Sequence, residues 1–325
     1  MSFSVTVLRI DPEAEARRIE AWIRERTRGQ LRRRGVVVGL SGGVDSSVVA
    51  ALAARALGEG RVLGLIMPER DSSPDSAALA ARLAAHIGVE TITEELAPAL
   101  EALGCYARQI AAIRRVVPEY GPGWRCKLGL PSLLDGDRLN VSRLTMESPS
   151  GERRSVRMPV GPYLSLVAAT SYKQRLRKTT EYYHADRLAF AVAGTANRQE
   201  HELGFFVKQG DGAADLEPIA HLYKTQVYAL AEHLGVPEEI RERSPTTETF
   251  SLPQTQEEFY FAMPYELLDL CLAAHDAGVP AEEASLAIGL SAAQISRAYS
   301  DIEAKRRAAR YLHAPPLTIT QGEGA

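Results

Sequence analysis

Apolar residues along this chain fall into two alternating kinds of run. Short β-branched stretches at 36–40, 61–67 and 89–93 read as strands. Each is followed by an alanine- and leucine-rich stretch with helical spacing, at 46–57, 75–87 and 97–116. A helix precedes them, capped near Asp11-Pro12 and running to about residue 35. The same rhythm returns as a helix over 171–185, a strand over 188–193 and a helix over 224–235 with a glycine stop. From 257 the chain reads as mostly helical, ending in a helix over 289–311. Strands alternating with helices predict an α/β fold: a doubly wound parallel sheet covered on both faces. The stretch 118–163 breaks the rhythm. Alternating residues at 139–147 and 153–158 flank a Pro149-Ser150-Gly151 turn and predict an inserted β-hairpin, a lid or a dimer arm. The expected organisation is one domain over 1–270 with an insertion at about 118–165, and a helical extension of that domain over 271–325.

The junction of the first strand and its helix carries the clearest chemistry. It reads Gly39-Leu40-Ser41-Gly42-Gly43-Val44-Asp45-Ser46-Ser47. The start of a helix offers free N–H groups and a positive dipole end, which suits an anion. Gly42 and Gly43 let the backbone approach a phosphate, and Ser41, Ser46 and Ser47 add hydroxyls. Asp45 would repel a bare phosphate, so its presence implies a bridging cation, Mg²⁺. No Gly-Lys-Ser/Thr follows, so this is not a Walker A loop. The plainer reading is a strand-to-helix turn with serine caps. The full pattern resembles the SGGxDS loop of the ATP pyrophosphatases. That resemblance implies cleavage of ATP between its α- and β-phosphates and adenylation of a substrate.

Composition narrows the alternatives. The chain has 325 residues, enough for a large core, and its formal net charge of −3 gives no electrostatic case for a nucleic-acid partner. Cys105, Cys126 and Cys271 have no CxxC spacing, so neither a zinc site nor a disulfide framework is expected. The N-terminus lacks a signal-peptide pattern and no run is long enough for a membrane span, so a cytoplasmic protein without a membrane partner is expected.

Further motifs extend the resemblance to the ammonia-dependent NAD synthetases. They are Met67-Pro68 after the second strand, Lys173-x-Arg175-x-Arg177 on a helix, and Gly194-Thr195-Ala196-Asn197-Arg198-Gln199-Glu200 after a strand. Phe205 to Asp215, with Gly210-Asp211-Gly212, and Leu222-Tyr223-Lys224-Thr225-Gln226-Val227 complete the set. The similarity spans roughly 10–117 and 165–270. It implies an adenine nucleotide α-hydrolase-like fold and a two-step ligase. ATP adenylates the carboxylate of deamido-NAD, and ammonia then displaces AMP to give NAD. By the same resemblance Asp45 and Glu200 hold Mg²⁺, Lys224 contacts the phosphates, and Met67 and Thr195 lie near the nucleotide. Ser171, Arg175, Lys208, Asp211 and Asp215 hold the acid substrate, and Asp211 orients ammonia or takes its proton. Plainer roles exist for several: Lys224 as a helix-surface lysine, Asp211 as a turn former, Asp215 as a cap, Arg175 in a surface ion pair.

The chain departs from the family's usual pattern at Ser171, where asparagine is usual, and at Gln256 and Ala304, where aspartate and histidine are usual. A relative that amidates a different carboxylic acid is therefore the alternative reading. There is no room for a glutaminase domain, so ammonia would be free or supplied by a separate protein. The family places its substrate at a dimer interface, which implies a homodimer. A stretch around 284–297 superficially resembles a helix-turn-helix, but its candidate recognition helix offers only Gln294, Ser296 and Arg297. It is read as a subunit-contact or closing helix pair rather than a nucleic-acid surface.

Overall fold

A computed structural model of the chain describes residues 3–136, 141–247 and 249–318. Residues 139 and 140 of the expected first hairpin strand lie outside the described residues. Four strands, β1 (Val36–Gly39), β2 (Val62–Ile66), β3 (Glu90–Thr93) and β7 (Ala191–Ala193), form a parallel sheet in the order β3-β2-β1-β7. Period-2 geometry sends Val36 and Val38 to one face and Val37 to the other. The first face packs with α1 (Pro12–Arg24), α2 (Val44–Leu57), α3 (Pro74–His86) and α8 (Lys224–His233). The second packs with α4 (Ala97–Ala102), α5 (Cys105–Arg114) and α6 (Val160–Leu188). The sheet is thus wound on both sides, as the apolar strands β1, β2 and β7 require, while the edge strand β3 is polar and only partly buried.

Several elements differ in extent from the sequence reading. The first helix passes into a wide turn over Glu25–Gln30 and ends before Arg32, which has φ +53°. The long helix expected over 97–116 is broken at Gly104, in left-handed geometry at φ +70°, to give α4 and α5. Helix α6 has 29 residues and starts inside the expected insertion. Pro162 in its first turn costs nothing, because first-turn amides have no helical acceptor. It ends at Ala189, φ +54°, which delays β7 to Ala191.

The inserted hairpin consists of β5 (Arg143–Glu147) and β6 (Arg153–Arg157), and it gains a third strand, β4 (Arg125–Gly129). Their order is β4-β5-β6, antiparallel. Cys126, Leu128, Leu144 and Met146 point to one face and form a second core with Ala112, Ile113, Leu166 and Phe250. After α7 (Arg198–Leu203), α8 and the short α9 (Glu238–Arg241), the chain closes with α10 (Tyr265–Asp276), α11 (Ala281–Ile288) and α12 (Ala292–His313), which share a core. Gln294 and Arg297 on α12 donate to the carbonyls of Leu134 and Leu133 at 3.2 and 3.0 Å. No helix of the described residues is long and apolar enough to cross a membrane.

Candidate active site

The carboxyl ends of β1, β2 and β7 open into one cavity of about 560 Å³. This is where ligands sit in open α/β sheets. The turn after β1 needs glycine at Gly42 on two counts. Its φ is +74°, and an added Cβ would stand 2.5 Å from the Ser76 carbonyl oxygen. Gly43 is the N-cap residue of α2, whose hydrogen-bond ladder begins with Ser47 N–H donating to Gly43 C=O. Gly43, Val44, Asp45 and Ser46 line the cavity, so the positive end of α2 is directed at it. The loop hydroxyls are committed within the loop. Ser46 and Ser47 donate to Gly43 C=O at 3.1 and 2.8 Å, and the Ser41 hydroxyl accepts from Gly43 N–H at 3.3 Å. Gly42 and Ser47 shape the turn without lining the cavity, whereas Gly39, Leu40, Ser41, Met67 and Thr195 do line it.

Three elements bring their charges together over that turn. The Lys224 ammonium, on the first residue of α8 and 1% exposed, is bonded to the Asp45 carboxylate. Asn197, also 1% exposed, donates to the other Asp45 oxygen at 3.0 Å and caps α7. Its side chain accepts from Glu200 N–H at 3.1 Å while the Glu200 carboxylate accepts from Asn197 N–H at 3.2 Å, a capping box. The second Glu200 oxygen accepts from the Gln256 amide at 2.9 Å. Burial, with the Asp45 anion beside it, pushes Glu200 up to about 8. Burial alone would push Lys224 down; the Asp45 and Glu200 carboxylates outweigh it and hold the lysine above its ordinary value.

Asp269, on α10 and fully buried, holds Lys224 in place from behind. It accepts from Thr225 N–H and the Thr225 hydroxyl, both at 2.8 Å, from Lys224 N–H at 3.3 Å, and from Gln199 at 2.6 Å. Burial nevertheless lifts it to about 6. Asp269 went unnoticed in the sequence, where an aspartate inside an apolar helix gave no pattern pointing to α8. Asn197 was quoted there only as part of a motif, although Asn197 and Glu200 three residues apart are a legible capping signal.

Helix α6 supplies the opposite wall with Ser171, Arg177 and a buried ion pair, Lys178 to Glu181 at 2.6 Å. Ser171 donates to Val167 C=O at 2.8 Å within its own helix. Asp211 lines the cavity, accepts from Val207 N–H at 2.7 Å, and is raised above the usual carboxylate range by burial. The remaining expected substrate residues stand outside the cavity. Lys208 donates to Tyr311 and Ala314 carbonyls, both at 2.8 Å; Arg175 donates to Lys208 C=O at 3.3 Å. Asp215 accepts from Val192 N–H at 2.8 Å and so ties the end of β7 to the following loop.

The chain matches the family pattern described as NAD synthase over residues 15–115 and 152–309. It is 60% identical over 311 residues to the NH(3)-dependent NAD(+) synthetase of Mesorhizobium japonicum, covering 96% of this chain and 98% of that one. Identity to the enzyme of that name from Thermotoga maritima is 39% over 243 residues, with 74% and 79% covered. Two solved structures share the fold at 22% identity. The NH3-dependent NAD synthetase of Campylobacter jejuni, in complex with nitrate, has TM-score 0.61 and coverage of 96% and 100%. The NMN synthetase of Francisella tularensis has TM-score 0.60 and coverage of 96% and 99%. With the family pattern matched over most of its length and 60% identity to one of its enzymes, the chain belongs to the NAD synthase family.

Proposed function

We propose that this chain is an ammonia-dependent NAD synthetase, which uses ATP to activate the carboxylate of deamido-NAD and ammonia to convert it to the amide. The observation that carries this reading is the meeting of Asp45, Glu200 and Lys224 at the N-terminus of α2. In the first step a carboxylate oxygen attacks the α-phosphorus of ATP and the bond to pyrophosphate breaks. Negative charge grows on both fragments, and the Lys224 ammonium with the amides of α2 is arranged to stabilise it. In the second step ammonia attacks the acyl carbon, the C–O bond to AMP breaks, and nitrogen gives up a proton. Asp211, in the cavity wall and held above the usual carboxylate range by burial, is the group assigned to orient ammonia and take that proton.

Asp45 and Glu200 suit Mg²⁺. Among the described residues no group of three or more His, Cys, Asp and Glu surrounds a common point. Mg²⁺ asks for less, one or two carboxylates completed by phosphate oxygens and water. Glu200, lifted to about 8 by burial beside a second carboxylate, is a carboxylate short of positive charge. Bound there, Mg²⁺ would supply the charge neutralisation that the triphosphate and departing pyrophosphate need. Met67 and Thr195 are assigned to the nucleotide and Ser171 to the acid. Arg175 and Lys208, outside the cavity, would meet the dinucleotide in a homodimer. Ammonia would be free or delivered by a separate protein. A cytoplasmic setting belongs to the same reading, supported by three cysteines that are unpaired.

Purified protein given ATP, Mg²⁺, deamido-NAD and ammonium should form NAD and AMP in equal amounts. Absence of NAD under those conditions overturns the proposal.

A further inference from the structure

The wall of the cavity between residues 243 and 260 has almost no regular structure of its own. Among its described residues are one bridge, Thr246 to Thr255, and one wide turn, Glu257–Phe261. Yet it places Thr246, Thr249, Gln256, Phe259 and Tyr260 on the cavity. A segment without its own ladder must satisfy its backbone elsewhere. Here two of its backbone groups, and several of its side chains, find partners at β4, the edge strand of the inserted sheet.

Five contacts join the wall to β4 and to Leu130 just after it. Leu252 N–H donates to Cys126 C=O at 3.0 Å, and Leu130 N–H donates to Glu258 C=O at 2.9 Å. Cys126 N–H donates to the Ser251 hydroxyl at 3.0 Å, and the Gln254 amide, 5% exposed, donates to Leu128 C=O at 2.6 Å. Lys127 pairs with Glu258 at 2.6 Å. Phe250 and Phe259 then pack into the core formed by Cys126, Leu128, Leu144 and Met146. From the side of α6, Lys173 holds Thr249 C=O at 2.9 Å. The edge of β4 is thereby covered, and the covering segment is the cavity wall. The family pattern leaves 116–151, with β4 and β5, unmatched, whereas β6 and the wall lie within its second matched stretch.

We propose that the inserted sheet is a positioning element for the reaction: through Gln254 and the close approach at Gly129 it sets the wall, and Gln256 with it, against Glu200, and so keeps water from the acyl-adenylate until ammonia arrives. The identity of the intermediate rests on the function proposed above. Without the wall, water attacks the acyl carbon, the C–O bond to AMP breaks, and the products are the original carboxylate, AMP and a proton. ATP is then spent with no amide formed. Gly129 is where the sheet can be wedged away. A Cβ there would stand 3.3 Å from Glu258 C=O and 3.6 Å from the Gln254 amide, and neither Gly129 nor Gln254 lines the cavity.

The experiment compares Gly129→Val and Gln254→Ala with the unaltered full chain. One readout is hydrogen exchange across 246–260; the other is AMP formed per NAD formed at limiting ammonium. Arg154→Ala, which breaks an exposed pair with Glu119, serves as control. The expected result for either variant is faster exchange in 246–260 with β1 and β2 still protected, and an AMP excess that rises severalfold. The control should show neither. A general loss of stability would lower both products together, so an unchanged AMP-to-NAD ratio in a variant whose 246–260 exchange has risen overturns the proposal. So does unchanged exchange in both variants. If the unaltered protein forms no NAD, the proposed function fails, and the exchange comparison still decides whether the sheet holds the wall.

Discussion

The two sides of the cavity are built by opposite means. On one side, the charges that would meet ATP sit on the first turns of α2, α7 and α8, the first two directly beyond strands β1 and β7. Each is fixed by main-chain geometry, by a cap or by a buried partner: Gly43 at α2, Asn197 at α7, Asp269 at α8. On the other side, the 243–260 wall is irregular and hangs on an inserted sheet far from it in sequence. The difference separates two jobs. Charge placement needs sub-ångström constancy and is assigned to rigid helix starts. Enclosure needs only a surface and can be met by an irregular segment braced from outside.

The contrast can be broken from the charged side first. Asp45→Asn should lower AMP release about 10²- to 10³-fold, with exchange across 246–260 left as in the unaltered protein. Loss of wall protection in this variant would merge the two sides into one unit. Next, Gly42→Ala must adopt φ +74° and place a Cβ against the Ser76 carbonyl. It should cost about 1–3 kcal/mol in urea unfolding and weaken ATP binding by calorimetry. Asp269→Ala leaves the buried donors of Thr225 and Gln199 without their acceptor. It should cost about 1–3 kcal/mol and lower kcat more than it raises KM, because it acts through Lys224.

A gentler test uses pH. Burial lifts Asp269 to about 6, above its unfolded value near ~3.9. A raised carboxylate binds its proton more tightly when folded, so the Asp269 contribution to stability falls as pH rises from about 4 to about 6. Asp269→Asn should remove that slope; melts at several pH values check it. The smallest effect belongs to the exposed charge ladder of the inserted sheet, where Glu147 accepts from Arg125 at 3.1 Å and Arg153 at 2.6 Å. Glu147→Ala should leave the urea midpoint nearly unchanged and the AMP-to-NAD ratio alone.

Legibility in the sequence followed the same division. The glycine turn, the β1–α2 junction and the Asn197–Glu200 spacing are local, and local patterns were readable. The insertion's hairpin was also visible through alternation about its turn, but β4 was missed. Its Arg125–Gly129 segment alternates for only five residues, too few to stand out from the surrounding loop. The start of α6 was missed because glycine and proline near its first turn look like a stop, although first-turn positions tolerate both. Asp269 carries no motif, and Gln254 belongs to a family stretch that says nothing of β4; their roles exist only because α10 reaches the start of α8 and the wall reaches β4.

By itself, then, the sequence determined the layered α/β architecture, the anion-binding turn and the family of chemistry, since periodicity, glycine freedom and helix capping act over a few residues. Only the tertiary structure decided which charges pair, that Lys208 donates to the end of α12 and stands outside the cavity, and what holds the wall. Those outcomes depend on residues brought together across long stretches of chain, where burial and desolvation set each group's partner and no local pattern records it.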